Sequence, residues 1–207
     1  MPTPAEVPQP QLDDSSPLEA EVVTEPVEAE AVELLPAPAE ATADTGPHYS
    51  TDLLENTKQR VRWLSKAYHS GELQAVTNEL CKNDVLFWVN MFCATYNPRK
   101  NPSTIPFITY PYEDALILDL VGSIKNQKDI LIDKSRDMGV TWCVRLVFTW
   151  FWQLHGEGYD FLCGSRKEQY IDGIGNMDTL MEKIRFLIRN QPKWMRPKGF
   201  DWKNHSN

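Results

Sequence analysis

Lys134-Ser135-Arg136-Asp137-Met138-Gly139-Val140-Thr141 gathers, within eight residues, the side-chain types that hold phosphate. In the pattern Gly-x-x-x-x-Gly-Lys-Ser/Thr, backbone N–H groups cradle the phosphates, a lysine reaches the outer ones, and a hydroxyl holds Mg²⁺. Here Gly139 is the closing glycine and Thr141 the hydroxyl, while Val140 takes the lysine's place and Lys134 stands at the first glycine. A long side chain launched from the first position of a curled loop can reach the same anion from the other side. A helix starting near Gly139 would add unpaired N–H groups and the positive end of its dipole. Arg136 supplies a second cation suited to bidentate phosphate contact. Asp137 would repel a triphosphate, so it must point outward or pair with a neighbour such as Arg136. A plain strand–turn–helix with no ligand fits the same eight residues.

The flanks decide how this loop is held. Asp129-Ile-Leu-Ile-Asp133 reads as a buried strand centred on Ile130–Ile132, and Gly139 to about His155 as a helix apolar nearly all round. Gly156-Glu-Gly158 ends the helix, and Tyr159-Asp-Phe-Leu-Cys-Gly164 reads as a second buried strand. The result is a β-α-β unit with a right-handed crossover, and Ser165-Arg-Lys-Glu168 falls at the strand's C-terminal edge, where open α/β sheets bind ligands. Upstream, Ile105 to Asp114 is a Pro-stiffened aromatic loop before a helix over Ala115 to about Val121. Its tyrosines either pack or help sandwich a base.

Further upstream, Thr51 or Asp52 caps a helix to about Tyr68 with Leu54, Val61, Leu64 and Tyr68 on one face. Ser70-Gly71 breaks it, and a shorter amphipathic stretch runs through Leu80. Asp84 caps the apolar helix Val85 to Cys93, and Asn97-Pro98 and Asn101-Pro102 open a loop. These helices read as a packing layer, with Phe87, Trp88 and Phe92 in the core. Near the end, Asp178 caps a helix carrying Met181, Ile184, Leu187 and Ile188 along one face, stopping before Pro192. Residues 193–207 are basic and aromatic without helix or strand rhythm; they read as an exposed connection, or as a nucleic-acid contact.

Composition divides the chain of 207 residues. Residues 1–50 hold eleven Asp/Glu, no Lys or Arg and nine Pro, and so are expected to be a disordered acidic tail. The remainder carries 21 Lys/Arg against 18 Asp/Glu and all seven Trp, enough for a core. The overall charge of −8 therefore belongs to the tail and does not argue against a nucleic-acid partner. Cys81, Cys93, Cys143 and Cys163 lie scattered, as free thiols of a reducing compartment would, with no zinc spacing. No secretory signal opens the chain, and the longest apolar run, Val140 to Leu154, is too short for a bilayer and contains Arg145. A cytoplasmic protein with no membrane partner is expected.

From about Asn83 onward the chain resembles the N-terminal part of the ATPase domain of tailed-phage terminase large subunits, the motors that package DNA. The matching blocks are Asp84-Val-Leu-Phe-Trp-Val-Asn90 with Tyr96-Asn-Pro-Arg99, Pro106-Phe-Ile-Thr-Tyr-Pro-Tyr112, Asp129 to Trp142, and Phe161-Leu-Cys-Gly-Ser-Arg-Lys-Glu168. Asp178-Thr-Leu180, Lys183-Ile-Arg185 and Pro192-Lys-Trp194 extend the match. The resemblance implies an α/β fold, an incomplete P-loop NTPase over 105–207; the helical region over 51–104 precedes it, and the tail over 1–50 lies outside the match. It assigns ATP and Mg²⁺ as cofactors, with Lys134 and Arg136 on the phosphates and Thr141 on the metal, inside the loop Lys134 to Thr141. Where the family usually carries an adenine-reading glutamine, Pro111-Tyr-Glu-Asp114 has none: either Glu113 replaces it or a residue is missing, and Tyr112 is the stacking candidate. The resemblance places the water-activating Asp-Glu strand and an RNase H-like nuclease beyond Asn207, so no catalytic residue is assigned within this chain. Implied partners are double-stranded DNA, a terminase small subunit and a portal, with a homo-oligomeric ring in the host cytoplasm.

Two other readings remain. The β-α-β unit could be the scaffold of a non-catalytic protein whose acidic tail recruits a basic partner. Alternatively, the loop could belong to a helicase-like P-loop ATPase.

Overall fold

The computed structural model describes residues 49–156 and 158–201, so the acidic tail lies outside the described residues except for its last two positions. Those two belong to the fold. Tyr49 is buried, and Ser50 donates its N–H to Gln59 Oε1 at 2.7 Å while its carbonyl accepts from Asn56 Nδ2 at 2.8 Å.

Helix α1, Leu53–Tyr68, is capped by Asp52, whose carboxylate accepts from the N–H groups of Leu54 and Glu55 at 3.0 Å each. It turns inward a face beside the one its apolar residues suggest. Asn56 and Ala67 are buried and Trp63 half-buried, whereas Leu54, Val61 and Tyr68 are exposed; of the expected apolar face, Leu64 is half-buried and packs on the core. Polar bonding explains the choice of face. Arg60 Nε donates to Asn90 O at 2.9 Å and Asn56 Oδ1 at 2.8 Å, Nη1 to Cys93 O at 2.7 Å, and Nη2 to Phe107 O at 2.9 Å. A guanidinium is thus planted on the carbonyl end of helix α3, Val85–Phe92, where the dipole favours a cation. Burial pushes Arg60 down to about 10, with Cys93 pulling the other way, so it stays charged at neutral pH. Replacing Arg60 with Lys keeps the charge but loses the fork. A stability loss of about 1–2 kcal/mol in urea denaturation is expected; an unchanged midpoint would show that charge alone holds this corner.

Helix α2, Gly71–Asn83, is capped by Ser70 and lies against α1, with Trp63 Nε1 donating to Thr77 Oγ1 at 2.9 Å. Asp84 caps α3 through the N–H of Phe87 at 2.9 Å, and every residue of α3 except Leu86 is buried. The expected loop after α3 contains a short antiparallel pair, β1 (Ala94–Tyr96) with β2 (Thr104–Pro106), in register Thr95↔Ile105. Helix α4, Pro111–Lys125, starts four residues before the expected Ala115. Pro111 sits at its first position, where a missing N–H costs nothing.

Helix α5, Val140–Trp150, continues as one wider π turn, Phe151–His155, and Gly156 ends it. It packs against α3, α4 and α6 and carries the centre of the core through Cys143, Leu146, Val147 and Trp150. Helix α6, Leu180–Arg189, has Thr179 rather than Asp178 as its N-cap residue; Asp178 is exposed and donates its own N–H to Asn176 Oδ1. Of the basic, aromatic stretch after Pro192, Trp194 packs edge-on against Phe92 and Met195 is buried; 202–207 lie outside the described residues.

The two expected buried strands differ from expectation. Segments 129–133 and 159–164 form no ladder with any described residue. Strand formation needs a neighbour at about 4.8 Å, and local sequence cannot supply one. Residues 159–164 nevertheless alternate at the strand period: Tyr159, Phe161 and Cys163 face the core side, while Leu162 is 98% exposed. Phe161 stacks on Phe148 at 4.2 Å, and Tyr159 lies 4.5 Å from Phe151. In the other segment Ile132 packs on the core and Leu131 is 96% exposed. Each segment is covered on one side only, and the described residues contain no paired β-α-β sheet.

Candidate phosphate-binding site

The loop Lys134–Thr141 leads directly into α5, and its backbone geometry follows from two left-handed residues. Asp137 has φ 62°, which a short acidic side chain tolerates better than most, and Gly139 has φ 71°. Gly139 is the N-cap; its carbonyl accepts from Trp142 and Cys143 N–H at 2.8 and 3.1 Å. Ahead of them, the N–H groups of Val140 and Thr141 find no acceptor among the described residues. Two amides and the positive end of α5 therefore meet at one spot.

Around that spot, Lys134, Ser135, Arg136 and Asp137 are exposed, and Met138, Val140 and Thr141 are half-buried. Neither Lys134 nor Arg136 makes an ion pair with a described residue. Asp137 points to solvent and does not pair with Arg136, so of the two ways of accommodating it the outward one is observed. The Thr141 hydroxyl, in the first turn of α5, has no hydrogen-bond partner among the described residues.

The floor of the loop is Glu113. Its carboxylate is buried, and one oxygen accepts from Tyr110 N–H at 3.0 Å, closing the first turn of α4. The other oxygen lies 2.4 Å from where a Cβ on residue 139 would stand. Burial raises the Glu113 pKa above the usual carboxylate range; the Tyr110 N–H opposes the rise and Asp114 adds to it. Glu113 is thus committed inward as a cap and buttress, and the structure does not present it to a base. Its signal was available in the sequence as a Glu three residues after Tyr110, with Pro111 between them. Tyr112 is exposed and stacks on Tyr110, with ring centres 5.7 Å apart and planes 7° from parallel. A base stacking on Tyr112 would extend that pair or displace Tyr110 from it.

Phosphate suits this donor set, which combines two free amides, a helix N-terminus and two uncommitted cations. For Mg²⁺ the fit is narrower. Among the described residues no three His, Cys, Asp or Glu come together to hold a metal, so the loop offers the Thr141 hydroxyl without a protein cage around it. Mg²⁺ is commonly held by one or two protein ligands plus phosphate oxygens and water, so the ion would arrive with the nucleotide.

One charged residue on the same face of α5 lies outside the loop pattern. Arg145 follows Thr141 by four positions and is buried. Its guanidinium lies 5.2 Å above the Phe148 ring and donates to Cys163 Sγ, and its Nε has no partner among the described residues. Cys163 is the half-buried member of the four free thiols; Cys81, Cys93 and Cys143 are buried. Close by, Lys183 sits 5.8 Å over the Trp142 ring and donates to the Met177 and Thr179 carbonyls. Burial pushes the Lys183 pKa down, opposed by Asp178 and reinforced by Arg145. A cavity of about 890 Å³ opens between α5, residues 160–163, α6 and 197–201, walled by Phe148, Trp152, Phe161 and Arg185. None of the loop residues lines it.

No helix among the described residues is long and apolar enough to cross a membrane. No family model matches the chain, and no curated protein or solved structure matches it.

Proposed function

We propose that residues 134–141 bind the phosphates of ATP, and that the chain is the nucleotide-binding section of a viral DNA-packaging motor of the terminase large-subunit type. One observation carries the nucleotide reading: a left-handed glycine aims the open amides of α5 at the same loop that carries two uncommitted cations. In this reading Lys134 and Arg136 contact phosphate oxygens, Thr141 contributes one oxygen to Mg²⁺, and Tyr112 offers a stacking surface. Mg²⁺ would neutralise charge on the phosphates. The chain's own residues bind and orient the nucleotide, and no side chain here is assigned to activating water. The motor reading rests on the ordered blocks from Asp84 to Trp194. It brings double-stranded DNA, a small subunit, a portal and a ring of copies as partners. The extended segments 130–132 and 159–164 would then be strands of a sheet completed in the assembled motor.

Photolabelling with an azido-ATP captures weak binding and so tests the loop directly. Wild-type protein is expected to label in a Mg²⁺-dependent manner that excess ATP suppresses. Lys134→Ala should reduce labelling by about tenfold, the worth of one charge-assisted phosphate contact. Equal labelling of the two proteins would remove Lys134 from the site, and no ATP-suppressible labelling at all would remove the nucleotide.

A further inference from the structure

Helix α1 has two sides of different character, and among the described residues the second is largely uncovered. Asn56, Arg60, Trp63 and Ala67 face inward, and α2 covers that side through Trp63–Thr77 and the bond from Gln74 Nε2 to Ala67 O at 2.8 Å. On the other side Leu54, Val61 and Tyr68, spaced seven apart, are 63%, 58% and 75% exposed. Thr57, exposed, and Leu64, half-buried against the core at the edge of the row, fall between them, so the positions follow the alternating three-and-four spacing of one helix–helix seam. Single exposed apolar residues are ordinary, but a row in register over four turns is not.

The flank of this row is basic. Lys58, Arg62 and Lys66 are exposed, and Glu55 is the one acidic residue on the helix, bonded to Lys58 at 2.8 Å. We propose that the Leu54–Val61–Tyr68 seam docks an amphipathic helix of an acidic protein partner, apolar along its seam and Glu/Asp-rich beside it. A second copy of α1 fits poorly, because its own basic flank would face this one. Nucleic acid fits less well than an acidic helix, since phosphates would satisfy the cations but leave the apolar row in water. This surface does not depend on the reading of the phosphate loop.

The full chain is titrated with a synthetic three-heptad helix bearing Leu at the seam positions and Glu at the flanks, with its Lys-flanked twin, and with a short DNA duplex. The Glu helix is expected to bind at least about tenfold tighter than the Lys helix, the discrimination charge complementarity provides. Val61→Glu and, separately, Leu54→Gln should each abolish that binding while leaving the far-UV circular dichroism and melting temperature unchanged. Arg62→Glu should narrow the preference between the twins. Equal binding of the twins, or binding that survives Val61→Glu in a folded protein, would overturn the proposal. So would duplex binding that Arg62→Glu removes and Val61→Glu does not, which would make the face a nucleic-acid surface instead.

Discussion

Glu182→Ala should lower the stability of the protein by about 3–5 kcal/mol, the usual cost of removing one partner from a buried ion pair. Glu182 is fully buried on α6, accepting from Arg185 Nε at 2.9 Å and Arg189 Nη2 at 3.0 Å, and Arg185 reaches onward to Asp172. Burial alone would raise the Glu182 pKa, but the hydrogen bonds from Arg185 and Arg189 outweigh it and hold the group below the usual carboxylate range. A carboxylate with a depressed folded pKa binds fewer protons in the folded state. Its stabilisation is therefore fully present above the unfolded pKa and disappears as pH falls through the lower, folded one. The gap between wild type and Glu182→Ala in urea unfolding should be wide at neutral pH and narrow under acid conditions. Changing Glu182 to Leu and Arg185 to Met together should recover much of the loss, since the buried charge of Arg185 goes with its partner, while Arg189 and Asp172 are partly exposed and within reach of water. A loss under about 1 kcal/mol at neutral pH would mean that the pair behaves as an exposed one.

Gly139→Ala is expected to cost about 2–5 kcal/mol and to abolish nucleotide photolabelling. Two separable terms make up the loss. The left-handed φ of 71° costs a residue with a Cβ about 1–2 kcal/mol, and crowding against the Glu113 carboxylate adds about 1–3 kcal/mol. The second term vanishes when Glu113 is also Ala, so Gly139→Ala should be milder in a Glu113→Ala background than in the wild type. Identical costs in the two backgrounds would show that the backbone term acts alone and that Glu113 does not support the loop.

Local chemistry made much of this legible in the sequence. Asp52 and Asp84 are caps because a short carboxylate before an apolar run has one favourable use, and both helices begin there. The turn at Gly139 and the long apolar helix after it were readable for the same reason. What escaped depended on partners remote in the chain. The inward face of α1 is chosen by Arg60, whose acceptors lie up to 47 residues away. That choice overrides the hydrophobic row. The segments around Ile130–Ile132 and Tyr159–Gly164 have strand composition, but a strand exists only when another is laid beside it. Glu113 looked like a base reader by position, and its burial beneath Gly139 follows from how α4 packs on α5.

The Glu113–Gly139 contact also constrains how sequences of this fold can drift. A side chain at position 139 must displace the carboxylate end of Glu113, which its bond to the Tyr110 amide holds in place. Neither position can change far alone. Among related chains the two should covary: a residue larger than glycine at 139 should appear only with a shortened residue at 113, and with a loop re-routed out of the left-handed region.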